Sequence, residues 1–225
     1  MTAATTHITA NIDAVRERIA RACQRAGRPS DDVRLIGVSK TVPAEIVAEA
    51  VRAGLKDLGE NRVQEGSAKH EELAAMGLHP RWHLIGHLQT NKVRSAIEHF
   101  SSIHSVDSER LLDAIASRTS EPMAVFIEVN VSGEATKEGV DPADLPPLLE
   151  HARGLPTIDV RGLMTVAPLD AAEAELRTHF ASLRTLANRH NLQGLSMGMT
   201  NDFAIAIEEG ATHVRVGRAI FGERR

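Results

Sequence analysis

The sequence predicts an α/β protein: a single closed (β/α)8 barrel with an additional N-terminal helix. Three observations carry this expectation. Short apolar runs alternate with helix-period patterns along the chain. Eight such runs recur at intervals of about 25 residues, the spacing of a parallel barrel. No Pro-, Gly- and Ser-rich linker divides the 225 residues, so residues 1–225 are read as one domain. An open doubly wound sheet would use the same elements, and both folds place ligands at the carboxyl ends of their strands.

The elements follow in order. Ile8, Ile12, Val15, Ile19 and Cys23 recur at steps of four, three, four and four, which makes the first segment an amphipathic helix stopped by Gly27 and Pro29. Arg34–Val38 reads as a strand. Val42, Ile46, Val47, Ala50 and Val51 then trace a helix face, with Pro43 in its first turn and Gly54 beyond its end. A strand at 56–60 precedes a helix at Val63–Ala75, and a strand at 82–85 precedes a helix at 90–99. Strands at Ser102–Val106, 124–131, Ile158–Met164, 194–197 and His213–Val216 complete the set, separated by helical patterns such as 108–117, 171–188 and 202–209. The longest loop, 132–144 (SGEATKEGVDPAD), follows the fifth strand and is expected to form a mobile flap over the functional face.

Composition removes several classes of function. Lys plus Arg total 26 against 30 Asp plus Glu, with 42% hydrophobic residues, which is ordinary for a globular chain. That balance opposes a surface built to neutralise phosphates, and five Phe with one Trp supply no base-stacking platform, so no nucleic-acid partner is expected. Residues 1–10 lack the pattern of a signal peptide. Apolar runs such as 123–127 fall far short of the roughly 20 residues that cross a bilayer. The one cysteine, Cys23, allows neither an internal disulfide nor a thiolate zinc cage. A cytoplasmic monomer with no membrane partner is expected. The chain has no tyrosine, which excludes reactions that need a phenolic acid or base.

The candidate chemistry gathers at strand ends. Lys40 stands two residues past the first strand, in LIGVSKT. A lysine there is ordinarily a solvated amine, but partial burial or a neighbouring positive charge makes it a nucleophile toward an aldehyde brought by a ligand. LSMGMTND, residues 195–202, follows the seventh strand, with Gly198 easing the backbone and Ser196 and Thr200 offering hydroxyls. It reads either as an anion nest or as an ordinary capped turn. A second such turn ends the eighth strand, where Gly217 lets the backbone of Gly217 and Arg218 approach a ligand. Barrels most often hold phosphate after strands seven and eight.

Arg215 shares strand parity with His213 and Gly217 and could face the interior. Its partner there would be a carboxylate such as Glu128 or Asp202, or a ring nitrogen of the ligand. His83 and His87 lie four apart in WHLIGH, but this segment has a central glycine and no acid, unlike a metal-binding HExxH helix. His83 is read as a group that orients the ligand or a neighbour, and Asn61 as a residue of the mouth.

VSKT, GENRVQE, WHLIGHLQTNK, IHSVDS, VFIEVNVSGEATKEG, RGLMT, LSMGMTNDF and VRVGRAIFG occur in this order over nearly the whole chain, and together they resemble the pyridoxal phosphate homeostasis proteins. The resemblance implies a single-domain barrel related to the N-terminal domain of alanine racemase. It also implies pyridoxal 5′-phosphate (PLP) held as an internal aldimine on Lys40. It puts Ser196, Thr200 and the backbone of Gly217 and Arg218 around the phosphate, Arg215 against the pyridine nitrogen, and Asn61, His83 and Met164 near the ring. Thr200 departs from the usual serine but keeps the hydroxyl. His87 occupies a variable position and receives no role.

An arginine beside the pyridine nitrogen disfavours a proton there and makes the cofactor a poor electron sink. Racemases of this type oppose the cofactor lysine with a tyrosine from a second domain. This chain has no tyrosine, and no second domain is expected. The expected function is therefore non-catalytic: reversible PLP binding in vitamin B6 homeostasis, with delivery to apo PLP-dependent enzymes. The alternatives are a PLP-dependent amino-acid racemase working with a single base, and a Schiff-base aldolase acting on a sugar phosphate.

Overall fold

The computed structural model describes residues 3–134, 137–168 and 170–222. Helix α1 (Ala3–Arg25) buries the whole predicted stripe, Ile8 through Cys23. It lies against α8 (Phe203–Glu208) and α9 (Arg218–Phe221), with the Arg18 guanidinium 4.4 Å above the Phe203 ring. Gly27 ends it at φ 65°, as the Arg28 amide closes back on the Cys23 carbonyl at 3.1 Å.

Eight parallel strands follow and close into a barrel, β8 pairing with β1. They are β1 (Arg34–Val38), β2 (Asp57–Glu60), β3 (Arg81–Leu84), β4 (Ser102–Val106), β5 (Met123–Glu128), β6 (Ile158–Met164), β7 (Gly194–Met199) and β8 (His213–Val216). Between them run α2 (Ala44–Arg52), α3 (Val63–Ala75), α4 (Val93–His99), α5 (Glu109–Ala116), α6 (Leu145–Arg153) and α7 (Glu173–Arg189). The barrel with its extra N-terminal helix is the predicted fold, and β1, β4, β6, β8 and α3 have the predicted bounds.

Three segments differ from expectation. Helix α6 was expected only through the general alternation, without bounds; Pro146 and Pro147 fall in its first turn, where the missing N–H groups cost nothing. Residues 90–92 form a 3-10 turn that leads into α4. Strand β5 stops at Glu128, the last residue in register with β6; the Val129 amide still donates to the Met164 carbonyl at 2.9 Å, and Val129 also pairs with Val140 as an isolated bridge. That bridge fastens the base of the predicted flap, within which positions 135 and 136 lie outside the described residues.

Alternation sorts the strands into two faces. Outward residues such as Trp82, Leu84, Ile103, Val125, Ile127, Leu163, Leu195 and Val214 form the apolar core between barrel and helices. Trp82, for example, faces His70 of α3 at 6.3 Å between ring centres. Inside, where Val, Ile and Leu usually fill a barrel, this chain carries Asp57, His83, Ser102, His104, Phe126, Ser196 and Arg215. Phe126 stacks on His104 at 4.3 Å and meets His213 edge-on at 5.0 Å. Gly194 makes room for Phe126, whose ring carbon would stand 2.8 Å from a Cβ there, and Gly162 lets β6 approach β7, since a Cβ at that position would collide with the Gly194 backbone.

Candidate functional site

Parallel closure puts every strand's carboxyl end on one rim, so Lys40, Asn61, Glu128, Met164, Thr200 and Gly217 gather there from six strands. Lys40 is half-buried, the second residue of a turn closed by the Val42 amide on the Ser39 carbonyl at 2.9 Å. The third residue, Thr41, has φ 65°. Turns that need this conformation at that position normally use glycine, and a side-chain-bearing residue there costs about 1–2 kcal/mol.

A buried ion cluster holds the turn. The Thr41 amide donates to Glu65, and the Ser39 hydroxyl donates to Glu60 at 2.7 Å. Lys69 of α3 donates to the Ser39 carbonyl at 2.6 Å, to Glu60 at 2.7 Å and to Glu65 at 2.8 Å. Burial pushes Glu60 above the ordinary carboxylate value against the pull of Lys69. Burial also acts upward on Glu65, but Lys69 and the Thr41 amide outweigh it and hold that group below its usual value. Next to Glu60, the Asn61 side-chain oxygen is buried and accepts no hydrogen bond from the described residues.

Arg215 points into the barrel and is 4% exposed. It donates to the Ser196 hydroxyl at 2.8 Å and to the Thr165 carbonyl at 2.9 Å. Neither carboxylate expected as its partner comes within ion-pair distance; Glu128 and Asp202 act on it only from farther away. Burial therefore prevails and draws its pKa down to about 10, which still leaves it charged at neutral pH.

From Arg215 a hydrogen-bonded chain runs down the interior. Ser196 meets His104 Nδ1 at 2.8 Å, His104 Nε2 meets Ser102 at 3.0 Å, Ser102 meets His83 Nδ1 at 2.7 Å, and His83 Nε2 meets Asp57 at 2.9 Å. A guanidinium can only donate and a carboxylate can only accept, so the ends dictate the direction and both tautomers. Arg215 donates to Ser196, Ser196 to His104, His104 to Ser102, Ser102 to His83, and His83 to Asp57. Asp57 also takes Arg34 at 3.0 Å and both nitrogens of an Arg81 fork at 2.8 Å. Despite burial, these hydrogen bonds hold its pKa far below the usual carboxylate range. Burial pulls His83, His104 and His213 below the ordinary imidazole value, His213 to about 3.

Two expected positions need correction. Ser196 lies inside β7, fully buried between Arg215 and His104, and not in the turn after it. Gly198, expected to open that turn, instead takes φ 90° within a strand that shifts register between Ser196 and Met199. Thr200 follows directly and is half-buried at the rim. His83, read as a group that orients the ligand or a neighbour, has both ring nitrogens engaged by neighbours inside the barrel. His87, half-exposed beside Glu138, is remote from that interior chain.

Glu128 entered the sequence reading only as a partner for Arg215. Burial, followed by the Glu138 charge, raises it to about 7 against the opposing effect of Arg215. It lines a cavity of about 270 Å3 with Asn130, Lys137, Glu138, Thr165 and Val166, at the rim that carries Lys40. A larger cleft of about 820 Å3 opens at the opposite end, where Arg34, Asp57 and Arg81 begin their strands. The sequence placed Glu128 in the middle of a strand at 124–131; its position at the strand's carboxyl end and its burial appear only in the fold.

Residues 10–225 match the family described as alanine racemase, N-terminal domain. The chain is 47% identical over 220 residues to the pyridoxal phosphate homeostasis protein of Aquifex aeolicus, covering 94% of this chain and 96% of that one. It is also 47% identical over 226 residues to the Pseudomonas aeruginosa protein of the same name, covering 96% of each. Among solved structures, PipY of Synechococcus elongatus with PLP bound superposes at a TM-score of 0.80 and 41% identity, covering 92% of this chain and 100% of that one. Alanine racemase from Corynebacterium glutamicum, at 18% identity and a TM-score of 0.70, covers 94% of this chain and 62% of its own and shares the fold alone.

Proposed function

Because the chain belongs to the pyridoxal phosphate homeostasis protein family, we propose that it binds PLP reversibly through Lys40, buffers the free aldehyde and passes it to apo-enzymes, with no turnover of its own. The observation that carries this reading is the buried Arg215 guanidinium, charged and with no carboxylate within ion-pair distance among the described residues. The Asn61 oxygen, which accepts no hydrogen bond from the described residues, and the turn at Gly217 on the same rim support the fit of a flat ring with an anionic tail.

PLP supplies an aldehyde carbon that condenses reversibly with a primary amine and releases water. In this reading Lys40 provides that amine. Thr200 and the amides of Gly217 and Arg218, which lack helix partners at the start of α9, take the phosphate. Arg215 faces the ring nitrogen and keeps a proton off it by charge repulsion. Met164 packs against the ring and Asn61 offers it an acceptor. Ser196 and His83 act one step back, as links in the chain that orients Arg215. Denying the ring nitrogen its proton weakens electron withdrawal, which favours holding over carbanion chemistry.

The absence of tyrosine supports the same conclusion. We further read residues 1–225 as one binding unit in the cytoplasm. Met76 is the one exposed large hydrophobic among the described residues, which favours a monomer.

The test is the visible spectrum of the purified chain with PLP, before and after borohydride. We expect a yellow protein, colour loss in Lys40→Ala, and reduction that fixes the ligand's mass on the Lys40 peptide. A mass on another lysine, or none, overturns the assignment.

A further inference from the structure

We propose that Lys69, acting with Glu60 and Glu65, is a positioning group for Lys40: it clamps the turn on both sides of that residue and imposes its left-handed bend. The proposal rests on the role given to Lys40 above.

Lys69 is only 6% exposed, and all three of its ammonium hydrogens are accounted for. One goes to the Ser39 carbonyl, the group just before Lys40. The others go to Glu60 and Glu65, and each of these carboxylates grips the turn itself, Glu60 through the Ser39 hydroxyl and Glu65 through the Thr41 amide. Lys40 is thus flanked by two anchored residues, both tied to one cation on α3.

A buried ion cluster is a poor way to stabilise a fold, since apolar side chains of similar size commonly do as well or better. Its other effect is local. Thr41 is β-branched and left-handed, and such a conformation persists only where the surroundings over-determine it. Without the clamp, the turn would relax toward ordinary backbone angles and carry Lys40 away from the rim residues it is meant to meet.

The experiment compares the full-length chain with Lys69→Met and Glu65→Gln, each alone and combined with Thr41→Gly. Glycine adopts the left-handed bend without a Cβ penalty, so it should make the clamp dispensable. Two quantities are read. One is the rate of borohydride-trappable PLP attachment to Lys40. The other, in the ligand-free chain, is acetylation of Lys40 by acetic anhydride relative to Lys56. We expect each single variant to slow attachment by about tenfold or more, as a misplaced reacting group does. We expect Thr41→Gly to restore most of that loss and to return the acetylation ratio toward wild type.

Attachment at the wild-type rate in both single variants overturns the proposal, and so does a slowed variant that Thr41→Gly leaves slow. If Lys69→Met does not fold, Glu65→Gln decides alone, because it keeps the side chain's shape while removing the charge that ties Lys69 to the turn. Wild-type protein that never takes PLP on Lys40 refutes the proposed function instead; the acetylation ratio then still decides whether the clamp positions the amine.

Discussion

His104 on β4 and Ser196 on β7 touch across the barrel, ring nitrogen to hydroxyl at 2.8 Å, although their strands are not neighbours. The contact joins a rim arginine to a floor aspartate, so Arg215 is oriented by groups that no ligand would reach. In Ser196→Ala the Arg215 and His104 nitrogens each lose a buried partner. We expect a loss of about 1–3 kcal/mol in stability, read from urea unfolding, together with a change in the absorption of bound PLP. A variant that loses stability but keeps the wild-type spectrum would separate the chain from the ligand.

Arg215→Gln keeps a donor and removes the charge. Repulsion of a proton at the ring nitrogen should then disappear, and the absorption of bound PLP should shift. An unchanged spectrum would take Arg215 away from the ring.

Glu128 is protonated more readily in the folded chain, near 7, than at its unfolded value of 4.5. Between those pH values the native state binds more protons, so this group's contribution to stability falls as pH rises. Glu138, Asp107 and Arg215 bear on it. In Glu128→Gln the advantage over wild type should grow by up to about 3 kcal/mol from pH 4.5 to 7.5. Parallel wild-type and variant curves in urea would contradict this.

His213 has the opposite sign. It stays neutral when folded, down to about 3, while the unfolded chain takes up a proton below 6.5. Its share of stability is complete above 6.5 and is lost as pH falls toward 3. Burial and the surrounding His83, Arg34 and Arg215 oppose the charge, and Asp57 favours it. His213→Gln should lose about 1–2 kcal/mol less than wild type between pH 7 and pH 5, measured by the urea midpoint.

Gly162→Ala tests the packing of the interior. The added carbon would collide with backbone at the Gly194 carbonyl, which cannot swing aside as a side chain would. We expect a loss of at least about 1–3 kcal/mol, seen as a lower thermal midpoint; an unshifted midpoint would show that β6 and β7 can separate freely.

Local periodicity explains why so much of the frame was readable in advance. Alternation marked β1, β4, β6 and β8 to the residue, and strand parity alone turned Arg215 inward. The errors arose where one residue type carries two meanings. Gly198 read as a turn but sits in a strand irregularity, and prolines, which break helix interiors, begin α6 at Pro146 and Pro147. The interior chain had no local signature, because His104 and Ser196 are 92 residues apart. Lys69 looked like any cation on a helix until the fold set it beneath the Lys40 turn.

The bridge from Val129 to Val140 has an evolutionary and practical corollary. Since Val140 brings the chain back to Val129 before α6 begins, barrel closure does not dictate the length of the tethered lasso between them. Grafts of other sequences into that lasso should fold on the same scaffold, and would make it a natural place to engineer what approaches the mouth.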